Sequence, residues 1–114
     1  MNDHITIEPA VGTWVVRSGG AVLGESRNAL ILREGEYDPV IYFPRDDIAM
    51  ALLDRSDKIT HCPHKGDASY FSIVNRSSIV ENAVWSYENP IPAMGAIRDH
   101  LAFHDVEGVT VERV

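Results

Sequence analysis

The sequence predicts a mainly β domain with two short helices, and three observations carry that expectation. Short strand-like runs recur from Ile5 to Tyr87. Turn-forming clusters rich in Gly, Pro, Asn, Asp and Ser separate them, and only one stretch of useful length carries an apolar stripe at helical spacing. At 114 residues the chain suits a single domain over residues 1–114, long enough to bury its own core and too short for two.

Taken in order, Ile5 to Ile7 alternates with polar neighbours, and Trp14 to Arg17 and Ala21 to Leu23 flank Ser18-Gly19-Gly20, the signature of a hairpin. Ala29 to Arg33 and Val40 to Phe43 read as further strands across the turn-rich segment Glu34 to Pro39. After Pro44, residues 46–53 predict a short helix with Asp46 near its start, where a carboxylate caps free amides. Ile59 to Cys62, Ala68 to Val74 and Ile79 to Tyr87 return to strand patterning. Residues 93–103 predict the longer helix, entered after Pro90 and Pro92, with Met94, Ile97 and Leu101 on one apolar face. A last strand is expected from Val109 to Val111.

Composition narrows the function classes. With 45% hydrophobic and 24% charged residues the chain is an ordinary globular sequence, neither disordered nor fibrous. A formal net charge of -7 disfavours nucleic acid, whose binding needs clustered Lys and Arg. No apolar stretch approaches the roughly 18 to 20 residues that span a bilayer, and the start lacks a leader pattern, so no membrane partner and a cytoplasmic location are expected. The single cysteine agrees with a reducing compartment. A homodimer is one way to cover the edge strands of such a chain; charged edges are another.

The densest group of reactive side chains is Cys62-Pro63-His64-Lys65-Gly66-Asp67. Cys62 is a candidate nucleophile whose thiolate Lys65 would favour, set against burial as the common state of a lone cysteine. Adjacent His61 points to the opposite face of a strand and is a poor base for it. An iron-sulfur centre of the Cys/His type needs a second cysteine, and a zinc site lacks a recognised spacing, so no metal or cofactor is expected. Lys65, Gly66 and Asp67 read either as an anion-holding turn or as a plain surface turn. Arg45 is a candidate second anion contact, or a partner for Asp46, Asp47 or Glu81.

Pairing across Asn75-Arg76-Ser77-Ser78 sharpens the picture. With Val74 opposite Ile79, Tyr70 lies opposite Ala83, and Tyr70, Glu81, Trp85 and Tyr87 share one face while Phe71, Ile73, Val80 and Val84 share the other. The first face is expected to floor a shallow pocket, with Glu81 as a proton-transferring carboxylate or a structural ion pair, and Trp85 and Tyr87 as stacking surfaces or core. A slip of one residue would exchange the faces.

The blocks Ala29-Leu30-Ile31-Leu32-Arg33-Glu34, Tyr42-Phe43-Pro44-Arg45-Asp46-Asp47, Cys62 to Tyr70 and Glu81 to Tyr87 resemble the small bacterial and fungal proteins grouped as domain of unknown function 427. The likeness covers nearly the whole chain. It implies a compact, mostly antiparallel fold of the Mss4-like or β-tent kind, and it brings a nucleotidyltransferase-like label without a reaction to transfer. The paired Cys-x-x-Cys zinc motifs frequent in Mss4-like proteins are absent from a chain with one cysteine. Three readings follow: a pocket for a small anionic or aromatic molecule with Cys62, Lys65 and Glu81 as its chemistry, a non-catalytic ligand-binding module on the same floor, or an interaction protein whose motif is a buried polar network.

Overall fold

The computed structural model of the chain describes residues 4–114; the Met1-Asn2-Asp3 start, expected to carry no leader, lies outside them. Ten strands form three antiparallel sheets among the described residues. In sheet one, β1 (Ile5–Pro9) and β5 (Val40–Tyr42) flank β4 (Leu30–Glu34). In sheet two, β2 (Trp14–Ser18) lies between β3 (Ala21–Ser26) and β10 (Val109–Arg113), with β2 and β3 joined at Gly19-Gly20 as the hairpin signature anticipated. Sheet three runs β6 (Leu53–Cys62), β7 (Gly66–Val74), β8 (Ile79–Ser86) and β9 (Ala102–Phe103).

Sheet three supplies both halves of the core, because successive residues of a strand face opposite ways. Phe71, Ile73 and Val84 pack with Val16, Leu23 and Val109 of sheet two. Ala68 and Tyr70 pack with Ile5, Leu32 and Tyr42 of sheet one, joined by Tyr87, Met94 and Ile97. The aliphatic and aromatic faces read from the sequence are therefore the two faces present.

Their register departs from the expected one in the middle. Val74 pairs with Ile79 and Ile73 with Val80, but Phe71 then pairs with Val84 and Tyr70 with Trp85. Ser72 alone faces Glu81, Asn82 and Ala83, a bulge of two extra residues on β8. Asn82 takes a left-handed φ of 52° there, and its N–H donates to Ser72 Oγ at 3.1 Å. Two extra residues preserve parity, so Trp85 stays on the Tyr70 face. Glu81 does not: it lies exposed in the bulge, and Ala83 joins the aliphatic core.

Neither expected helix forms as an α-helix. Residues 46–53 become two single 3-10 turns, Arg45–Asp47 and Met50–Leu52, because β3 claims the backbone between them: Ala49 N–H donates to Leu23 O at 2.8 Å and Gly24 bridges Ile48. The helix at 93–103 shrinks to 3-10 geometry over Pro92–Ile97. Beyond it, Leu101 exchanges two 2.8 Å backbone hydrogen bonds with Phe43, Asp99 N–H donates to Tyr87 O, and Ala102–Phe103 pairs with β8. Met94, Ile97 and Leu101 are nonetheless buried, as their spacing indicated. Among the described residues no helix is long and apolar enough to cross a membrane.

Candidate functional site

Cys62-Pro63-His64-Lys65-Gly66 is the hairpin loop between β6 and β7. Lys65 N–H donates to Cys62 O at 3.1 Å, so Pro63 occupies the second position of a four-residue turn, where its fixed φ is favoured. Gly66 follows at φ 121°, where a Cβ would come within 3.3 Å of Pro90 Cα. Ile91 N–H donates to Lys65 O at 2.9 Å and ties the loop to the segment after β8.

This turn directs Lys65 inward. The residue is only 8% exposed, and Nζ donates to Glu34 Oε1 of β4 at 2.6 Å and towards Cys62 Sγ at 3.8 Å. The hydrogen bond from Lys65 holds the Glu34 carboxyl below its ordinary range, against a smaller opposing effect of burial. His4 Nε2 lies 3.6 Å from the other carboxylate oxygen.

Lys65 and Glu34 sit in a cavity of about 210 Å³ between sheets one and three, walled by Tyr42, Tyr70, Trp85, Tyr87 and His104. Trp85 Nε1 donates to Tyr42 Oη at 3.2 Å, leaving the Tyr42 hydroxyl proton available. Tyr70 Oη is hydrogen-bonded to Thr60 Oγ1 at 3.0 Å. Burial pushes the Tyr42 phenol up to about 12 and raises Tyr87 as well, so both remain protonated donors at neutral pH. The His104 ring lies 4.5 Å from Trp85 and stacks on Tyr70 at 6.3 Å. Its burial, with a smaller effect of the Lys58 charge, lowers its basicity and keeps the imidazole neutral.

Of the residues singled out in the sequence, Lys65, Tyr70, Trp85 and Tyr87 line this cavity. Cys62 does not line it: half-buried, it packs against the same core cluster with Sγ 3.8 Å from Lys65 Nζ, and Gly66 shapes the loop. Arg45 lies elsewhere: its guanidinium binds Glu88 Oε2 at 3.1 Å and Asp99 Oδ1 at 3.0 Å, above the Phe71 ring on the other face of β7. Asp67 faces solvent and pairs with its cross-strand neighbour His61 at 2.7 Å. Glu81 remains in the exposed bulge. Sequence reasoning missed Glu34, Tyr42 and His104. The first two belong to the family-like blocks, which was the available signal; His104 lies just past the expected 93–103 helix, outside those blocks.

No curated protein matches the chain. The model of the family described as domain of unknown function (DUF427) matches residues 6–113, a span that includes the hairpin loop and every wall of the cavity. The chain belongs to that family.

Proposed function

We propose that the domain binds a small planar molecule carrying a carbonyl or carboxylate oxygen, seated in the cavity beside the Cys-Pro-His-Lys-Gly loop. The observation that carries this reading is the donor set on one cavity: the Lys65 ammonium and the protonated phenols of Tyr42 and Tyr87, with the Trp85 and His104 rings beside them. Donors converging in a low-dielectric site favour an acceptor oxygen, and aromatic walls favour a flat body. Because Glu34 already balances Lys65, and no arginine lines the cavity among the described residues, the site suits a singly charged or neutral head better than a triphosphate.

Titration with benzoate and nicotinamide tests it, read by thermal midpoint and by Trp fluorescence. A saturable rise in midpoint is expected, since a ligand selective for the folded state stabilises it by mass action. Tyr87→Phe and Lys65→Met are expected to weaken binding at least tenfold. Unchanged affinity in both variants, or no stabilisation by any planar carbonyl or carboxylate compound, overturns the reading.

An enzymatic form of the same reading uses Cys62, whose sulfur lies 3.8 Å from Lys65 Nζ. In it the thiolate adds to the bound carbonyl carbon while Lys65 and the phenols stabilise the developing oxyanion. Alkylation by iodoacetamide distinguishes it from plain binding: the enzymatic form requires Cys62 to react faster than a free model thiol at pH 7 and to be protected by benzoate. A slower, unprotected thiol leaves the binding module alone.

A further inference from the structure

The small cavity adjoins a larger one. A second cavity of about 550 Å³ lies where all three sheets meet, and it shares Asp38, Val40, Trp85 and His104 with the first. Its remaining walls are mostly apolar: Trp14, Ile31, Ile41, Phe103, Val109 and Val111. Trp14 and Val111 come from β2 and β10, Ile31 and Ile41 from β4 and β5, and Phe103 from β9. Trp14, Ile31, Ile41 and Val111 are half-buried, and all of these but Ile31 pack against the core cluster to which Phe103 and Val109 belong.

Size and polarity divide the two compartments. Small-molecule sites commonly occupy roughly 300–1,000 Å³, so the inner cavity holds a head group and the outer one reaches the scale of a ligand body. The inner compartment carries the Lys65 and phenol donors beside Glu34; the outer offers no cation among its lining residues and adds exposed Asp105 to exposed Asp38, which lines both. A phosphate or second carboxylate is therefore disfavoured at the outer end, and an uncharged hydrocarbon is favoured.

We infer that the ligand is amphipathic: an aryl or acyl compound whose single carbonyl or carboxylate head enters the inner cavity and whose uncharged apolar tail fills the outer one. This rests on the binding reading above and adds the tail, the site that receives it, and the exclusion of phosphorylated or doubly charged ligands. Trp85 and His104, common to both compartments, stand at the junction of head and tail.

The test compares benzoate with 4-hexylbenzoate and with terephthalate, by calorimetric titration of the full chain. The hexyl compound is expected to bind at least tenfold tighter than benzoate, as burial of an alkyl chain requires, and terephthalate more weakly than benzoate. Val111→Trp, which fills the outer cavity, is expected to abolish the hexyl advantage while changing benzoate affinity less than twofold. Ile31→Phe serves the same purpose if that variant does not fold. Benzoate binding with no hexyl advantage, or an advantage that survives the filling variants, overturns the tail site and leaves the head site standing. Absence of binding by all three compounds overturns both.

Discussion

Lys65 is an ammonium on a buried turn, and among the described residues its one anionic partner is Glu34 at 2.6 Å. Removing one member of a buried pair costs more than removing both, because the survivor keeps its desolvation penalty. Glu34→Gln is expected to destabilise the fold by about 2 kcal/mol in urea unfolding, and adding Lys65→Met to it is expected to recover part of that loss. Strictly additive effects in this cycle contradict a coupled pair. The depressed Glu34 pKa fixes the pH sign: its contribution is complete above the ordinary carboxylate value and is lost as pH falls through the lower folded value. His104 tests the adjoining wall. With its basicity lowered by burial and, to a lesser degree, by Lys58, its imidazole is expected to titrate by NMR below the ordinary histidine value. The neutral ring's contribution is then present above the ordinary histidine value and lost as pH falls through the folded one, and a midpoint above the ordinary value contradicts the buried wall.

At the scale of elements, the β6–β7 hairpin converts a local motif into a positioned side chain. Gly66→Ala combines a strained φ of 121° with a 3.3 Å approach to Pro90, and is expected to destabilise by about 2 kcal/mol and to weaken benzoate binding by displacing Lys65. Gly95→Ala, whose Cβ meets nothing within 4 Å, is the control and is expected to be near neutral. A neutral Gly66→Ala contradicts this account of the loop. The same contrast between local and distant determinants explains what the sequence made legible. Strands were readable because alternation and turn chemistry are local, and the hairpin at Gly19-Gly20 and both faces of β7 follow from them. The helices expected at 46–53 and 93–103 are shortened to 3-10 turns because backbone donors and acceptors there are claimed from afar, by Leu23, Phe43 and Tyr87. Glu34 was missed as Lys65's partner because the pair forms only when sheet one folds over sheet three. Glu81 left the expected face because of a bulge whose one local sign is Asn82, a residue type that tolerates left-handed backbone.

Across the whole molecule, sheet three is a wall of both core clusters, and a charged network fastens its far face. Glu88, just past β8, accepts from Arg55 of β6 and from Arg45, which also binds Asp99, and both guanidiniums lie over Phe71. The hydrogen bond from Arg55, with that from Arg45, depresses the Glu88 carboxyl to about 2. Its stabilisation is therefore present above the ordinary carboxylate value and is lost as pH falls towards about 2. Glu88→Gln is expected to cost about 1 kcal/mol at pH 7, a modest figure because Arg55 is 56% exposed, with the difference from the parent shrinking on acidification. A difference that does not change with pH contradicts the assignment. The shared wall carries a broader expectation. Trp14 borders the core between sheets two and three, whereas Trp85 borders the core between sheets one and three. If sheet three links the two clusters into one folding unit, neither can be lost while the other keeps its packed wall. Single-tryptophan variants Trp14→Phe and Trp85→Phe, followed by the fluorescence of the residue that remains, are then each expected to give a urea midpoint coincident with that from circular dichroism of the same variant. If the remaining tryptophan reports unfolding at a lower urea concentration than the backbone does, its cluster opens independently, and the two cores are separate units joined only by the chain.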